Sequence, residues 1–231
     1  LSSLGQMSAG IVHEINNPLN YANTSLHILK SFRSHLPASE QDDYDETLDD
    51  LADALQRVIR IITDLRSLTR GSEVLKFPIK LQHVVTNSLR LLSHELQNIS
   101  LSHNVPPELE IIGNDNQLCQ VLVNLIQNAL HATCETPHPQ ITLEVIEQAD
   151  GFVRIILSDN GHGIPNDILG KIFDPFFTTK DIGAGTGLGL SLTLKIIQDH
   201  NGSLRVQSKQ GSGTTFHILL PTPSFNTEAS S

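Results

Sequence analysis

Val153-Arg154-Ile155-Ile156-Leu157-Ser158-Asp159-Asn160-Gly161-His162-Gly163-Ile164-Pro165 decides how the second half of the chain is read. A short β-branched run of this kind marks a strand, and the polar, glycine-bearing stretch after it marks a turn. Asp159 therefore stands at the end of a strand, facing a turn. Glycines two and four residues further on let the backbone approach a flat ligand closely. A buried carboxylate there could accept a hydrogen bond from the exocyclic amine of adenine. It could equally be a turn or helix-capping Asp.

Working outward, more short β-branched runs occur at Ile99–Leu101, Glu110–Ile112, Ile141–Val145, Ser203–Val206 and Thr214–Leu220. They alternate with helical stretches near 81–96, 115–133 and 186–200. Gln148-Ala149-Asp150-Gly151 reads as a hairpin turn between two strands. Strands and helices mixed in one segment predict an α/β sandwich, with helices over one sheet. Within the 115–133 helix, Asn124 and Asn128 share one face. Asn is a poor interior helix residue, because its amide competes for backbone hydrogen bonds. The pair is either structural or a source of oxygen ligands for Mg²⁺, which retains water and nucleotide phosphates.

Gly183-Ala184-Gly185-Thr186-Gly187-Leu188-Gly189 feeds a helical run. A glycine-rich turn at a helix N-terminus offers unpaired N–H groups and partial positive charge to a phosphate, though a plain hinge has the same composition. It is neither a P-loop nor a strand-linked dinucleotide fingerprint. Before it lies Phe173-Asp174-Pro175-Phe176-Phe177-Thr178-Thr179-Lys180, an aromatic loop. It reads as a lid whose Lys180 reaches a terminal phosphate, or as a satellite apolar cluster with a solvated Lys.

The first seventy residues read as helix. Leu48, Leu51, Leu55, Val58, Ile62 and Leu65 alternate steps of three and four, a coiled-coil-like seam, and Leu4, Met7, Ile11, Ile15, Ala22, Leu26 and Leu29 form an earlier stripe. Two helices of about thirty residues run some 45 Å each. A lone hairpin cannot cover both seams, so a homodimeric four-helix bundle is expected. The expected divisions are 1–70, a linker at 71–77, a second domain at 78–221, and a disordered Ser/Thr/Pro-rich tail at 222–231. On a helical wheel His13 points away from the apolar stripe, with Asn17 about 40° from it. An exposed imidazole is a fair nucleophile near neutral pH, and adjacent Glu14 can orient it and take its proton.

The net charge of −10 argues against nucleic-acid binding, and no apolar run is long enough for a membrane helix. Cys119 and Cys134 lie far apart and read as buried thiols in a reducing compartment. The chain starts abruptly within helical sequence, so an upstream sensor region is expected to be missing. A cytoplasmic location is expected, with or without a membrane anchor on the whole protein.

In their order and spacing these segments resemble sensor histidine kinases. Residues from about 114 to 220 resemble the GHKL (Bergerat) nucleotide-binding fold. Asn124 and Asn128 match its N box, Asp159, Gly161 and Gly163 its first glycine box, Gly185, Gly187 and Gly189 its second, and Phe173–Lys180 the F box of histidine kinases. His13-Glu14-Ile15-Asn16-Asn17-Pro18 resembles the H box. The resemblance implies ATP bound with Mg²⁺, with Asn128 as metal ligand and Asp159 as adenine partner. Asn124, Lys180, Thr186 and Leu188 would join the glycines around the nucleotide. It also implies autophosphorylation of His13, transfer to an aspartate of a response-regulator receiver domain, and regulator dephosphorylation by water positioned at Asn17. Two departures stand out: Ala184 replaces a common glycine, and His131 stands where many relatives place Lys or Arg.

Overall fold

The computed structural model describes residues 2–69, 75–97, 99–180 and 185–223, with the backbone alone at 2–14, 16, 60 and 67–69. The chain forms two compact units, residues 1–72 and 73–231.

The first unit is a helical hairpin. Helix α1 (Ser2–Ser31) runs through Pro18, and α2 (Gln41–Thr69) follows two short 3₁₀ turns, Arg33–His35 and Ala38–Glu40. Lys30 Nζ meets Asp49 Oδ1 at 2.8 Å, Arg33 Nε meets Asp45 Oδ2 at 2.6 Å, and Tyr44 Oη donates to the Leu29 carbonyl at 2.8 Å. These exposed pairs set register more than they add stability. The seam on α2 divides by heptad position. Leu48 and Ile62 are buried and Leu55 half-buried, whereas Leu51 and Val58 remain 51% and 41% exposed. The row of Leu48, Leu55 and Ile62 packs within the hairpin, while Leu51 and Val58 of the other row face outward and its last member, Leu65, is half-buried.

The second unit is an α/β sandwich. Its elements are β1 (Phe77–Lys80), α3 (Leu81–Leu91), β2 (Ser100–Asn104), β3 (Glu110–Gly113), α4 (Asp115–Thr133), β4 (Gln140–Glu147), β5 (Phe152–Asp159), α5 (Asn166–Leu169), α6 (Gly189–Asp199), β6 (Ser203–Ser208) and β7 (Thr214–Pro221). Strands β1 and β3 pair as a small antiparallel ribbon, and five strands form the main sheet in the order β2-β4-β5-β7-β6, with only β2–β4 parallel. Period-two alternation puts Ile141, Leu143, Val153, Ile155, Leu157, Phe216, Ile218 and Leu220 on the buried face. There they meet Leu81, Val84, Leu118, Leu122, Leu125, Leu192 and Ile196, the apolar sides of α3, α4 and α6.

Several elements differ from the sequence reading. Helix α3 stops at Leu91 rather than 96, and 92–97 are turns. Helix α6 begins at Gly189, so Thr186 to Leu188 precede it. Phe77, expected in the linker, pairs with Gly113. Thr222, expected in the tail, is buried, and both its N–H and its hydroxyl donate to the Gly151 carbonyl, each at 2.9 Å. The remaining expected tail, 224–231, lies outside the described residues. Cys119 is buried as expected, but Cys134, the residue after α4, is exposed. Among the described residues no helix is long and apolar enough to cross a membrane.

Candidate functional site

Strand β5 delivers Asp159 to the sheet end nearest the C-terminus of α4. Its Oδ1 accepts the Gly161 N–H at 2.9 Å and the Thr214 N–H at 3.3 Å. Its Oδ2 has no hydrogen-bond partner among the described residues. Burial raises the carboxyl above its ordinary range, against the pull of those two N–H groups and of nearby His162. A half-buried carboxylate with one oxygen fixed and one free is poised to accept a hydrogen bond from a ligand.

The glycines of this turn are also required by close contacts within the protein. A Cβ on Gly161 would lie 2.3 Å from the Ala132 carbonyl oxygen. Gly163 has φ +69°, and its Cβ would lie 2.2 Å from the Lys209 carbonyl oxygen. The close approach is protein to protein: the turn is pressed onto α4 and the β6–β7 connection. His162 N–H donates to Ala132, Gly211 N–H donates to His162, and Ile164 N–H donates to Ser208 Oγ at 2.7 Å. These contacts were missed in the sequence, although Lys209-Gln210-Gly211-Ser212-Gly213 carried the turn signal that could have found them.

Helix α4 is capped by Asn114, whose Oδ1 accepts the Gln117 N–H at 3.1 Å. One face of α4 carries Asn124, Asn128 and His131. Asn124 Nδ2 donates to the Gly189 carbonyl at 3.3 Å, so part of this side chain braces α6. Asn128 is half-buried, and its amide makes no hydrogen bond among the described residues. Its amide is open to an ion or ligand. His131 is exposed; partial desolvation and the charge of Lys180 lower its pKa, while Glu95 opposes them.

The second glycine segment is described from Gly185. Gly183 and Ala184 lie outside the described residues. Gly187 has φ +68°, and a Cβ on it would come within 2.4 Å of the Phe176 carbonyl carbon. Phe176 also has φ +68°, a strained value for a bulky residue, and its N–H donates to the Gly187 carbonyl at 2.9 Å. Phe176 is 61% exposed, whereas Phe173 and Phe177 are half-buried. A Cβ on Gly185 would lie 3.2 Å from Lys180 Cδ, so the aromatic loop returns its lysine to the start of the glycine segment. Burial lowers the Lys180 pKa.

Leu188 is fully buried, and its N–H is taken by Thr186 Oγ1 at 3.2 Å. The first intrahelical bond of α6 is Leu192 N–H to the Leu188 carbonyl at 2.9 Å. The N–H groups of Gly189, Leu190 and Ser191 therefore precede the ladder, where an anion is favoured. The second unit thus gathers a half-free carboxylate, an unpartnered amide, a lysine and a helix N-terminus. Among the described residues no cluster of three or more His, Cys, Asp or Glu is arranged to hold a metal. A cation here would draw on Asn128 and on ligand oxygens, which suits Mg²⁺.

His13 and Glu14 lie on α1, with side chains outside those described. Asn17, one turn on, is exposed.

Two family models match the chain: residues 3–73 match the His Kinase A (phospho-acceptor) domain, and residues 113–224 match the histidine kinase-, DNA gyrase B- and HSP90-like ATPase. Sensor histidine kinase ZraS of Salmonella typhi is 35% identical over 224 residues, covering 96% of this chain and 46% of that protein. The solved catalytic domain of histidine kinase ThkA is 30% identical with a TM-score of 0.56, covering 64% of this chain and 95% of that one. The chain belongs to the histidine kinases. Sporulation kinase E of Bacillus subtilis is also 33% identical over 227 residues, covering 96% of this chain and 29% of that kinase. This histidine kinase core thus spans less than half the length of either curated relative. A structure of ThkA in complex with response regulator protein TrrA matches at 25% identity with a TM-score of 0.63, covering 96% of this chain and 63% of that one.

Proposed function

We propose that this core binds ATP with Mg²⁺ in the second unit, phosphorylates His13, and hands the phosphoryl group to an aspartate of a response-regulator receiver domain. The observation that carries the nucleotide half is Asp159, with one carboxylate oxygen held by two backbone N–H groups and the other open. An acceptor at that point suits the exocyclic amine of adenine, and the N-terminus of α6 with Lys180 suits the phosphates. Asn128 would supply an oxygen to Mg²⁺, which would neutralise phosphate charge. The remaining glycines, Thr186 and Leu188 shape the cradle through their backbone.

In the transfer, a His13 ring nitrogen attacks the γ-phosphorus as its bond to the β,γ-bridging oxygen breaks. ADP leaves, and Glu14 takes the ring proton. A receiver carboxylate oxygen then attacks the same phosphorus and the N–P bond breaks. Catalysis is chiefly positioning and charge stabilisation. Asn17 has no proton to give or take at neutral pH, so its role is to orient the water that hydrolyses the phosphoaspartate. The outward row of Leu51 and Val58 favours a homodimer, each copy covering the other's exposed seam. The test is incubation with γ-labelled ATP and Mg²⁺. An acid-labile, alkali-stable label is expected, which a receiver domain removes and His13→Ala abolishes. An unlabelled chain that hydrolyses ATP would instead mark an ATPase.

A further inference from the structure

Of the two helices bordering the candidate nucleotide site, α6 is fastened to α4 at both of its ends. At the opening, Asn124 of α4 donates to the Gly189 carbonyl at the first residue of α6. At the far end stands His200, directly after α6 and 1% exposed. Its Nδ1 lies 2.7 Å from the Ile196 carbonyl, so that nitrogen carries the proton. Its Nε2 then accepts the Asn114 N–H at 3.0 Å, at the cap of α4. The neutral ring bonded in this way is a strut from the end of α6 to the start of α4. A doubly protonated ring would set N–H against N–H and break it. The corner is tight: a Cβ on Gly113 would lie 2.5 Å from Leu118 Cδ1 and 3.1 Å from the His200 ring. Lys76, in the segment entering this unit, donates from Nζ to the Asp199 carbonyl at the same corner.

We infer that His200 is a positioning residue for the nucleotide: its neutral imidazole holds α6 in register against α4, and so sets the free N–H groups of α6 opposite the Asn128 amide. Lys76 ties the entering segment to the same strut. The inference rests on the proposed nucleotide site between these helices. Helix α6 is only about 16 Å long, so a shift at one end is carried to the other.

The charged groups acting on the ring are Lys76 from the entering segment and Asp199 from α6, the latter paired with Lys195 at 2.9 Å. Gly113, Asn114 and Leu118, on the β3–α4 side, are uncharged. Burial pushes the imidazole below its ordinary range; the Ile196 carbonyl opposes this, Lys76 adds to it, and Asp199 opposes it. A histidine held below its unfolded value keeps the strut intact above about pH 6.5 and loses it as pH falls through the lower folded value.

The test is calorimetry of a non-hydrolysable ATP analogue on the 231-residue chain between about pH 7.5 and pH 5.5. The parent chain should lose affinity several-fold on acidification. In His200→Gln an amide oxygen can still accept the Asn114 N–H but cannot titrate, so affinity at neutral pH should stay within about twofold and the acid decline should flatten. His200→Leu should bind about tenfold more weakly at both extremes. Lys76→Met should move the acid decline to higher pH, because the ammonium that depresses the ring is gone. An equal acid decline in His200→Gln would assign the decline to Asp159 or to the analogue's own terminal phosphate and overturn the inference, as would tight binding by His200→Leu. Protonation of His131 beside the phosphates would strengthen binding on acidification, the opposite sign. A chain that binds no nucleotide at any pH overturns the proposed function itself.

Discussion

The two units bury their apolar residues in different ways. In the α/β unit, three helices cover one sheet face, and Leu125, Ile126, Ile141 and Ile197 have no exposed surface. In the hairpin, Leu48 and Ile62 are covered while Leu51 and Val58, on the same helix, are not. The α/β unit completes its core within one chain, and the hairpin leaves half a seam for another surface. The difference teaches that the units should fail separately: damage to the sandwich should remove nucleotide binding and leave association intact, and the reverse.

The largest expected effect is Gly161→Val. Even its Cβ would overlap the Ala132 carbonyl, and the added methyls have no space. Overpacking of this kind should cost roughly 2 kcal/mol or more and lower the melting temperature of the α/β unit by several degrees. Nucleotide binding should vanish while light scattering still reports the dimer. Next comes Leu51→Asp. A buried Leu contributes roughly 1.5–3 kcal/mol, and an unpaired charge in an apolar contact adds a desolvation penalty. Sedimentation should show monomers whose nucleotide affinity is unchanged; a persistent dimer would mean that the outward row is not the contact.

Within the α/β unit the effects become smaller. Asp159→Asn retains an oxygen for the Gly161 and Thr214 N–H groups but loses the charge. It should weaken ATP binding roughly tenfold in calorimetry without shifting the melting temperature much. The smallest effect should be Gly189→Ala. Its Cβ would stand 3.8 Å from Asn124, an ordinary contact, unlike that of Gly187. Affinity should change by less than about twofold. A large loss would show that the start of α6 approaches the ligand more closely than the protein contacts require.

Much of the architecture was legible because period-two and heptad patterns are local. The six strands of the sequence reading recur as β2 to β7, and α4 has the expected ends at Asp115 and Thr133. Strand β1 escaped because a four-residue edge strand containing Pro78 has little pattern to read. The candidate site residues stood out by type and spacing, but the protein contacts they make did not. Asn124 bracing α6, Gly161 pressed on α4, Leu188 with its N–H already taken and His200 spanning two helix ends are all long-range contacts. Sequence spacing carries no record of them.

In the proposed reaction, γ-phosphate reaches one histidine in the hairpin unit. The most direct measurement localises it: the purified chain is incubated with ATP and Mg²⁺, kept alkaline, and fragmented in a mass spectrometer. The expected result is a single added phosphate on His13, reduced roughly tenfold when Asp159 is replaced by Asn under limiting ATP. Phosphate on any other of the eleven histidines, or none on His13 while ATP is bound, would contradict the account.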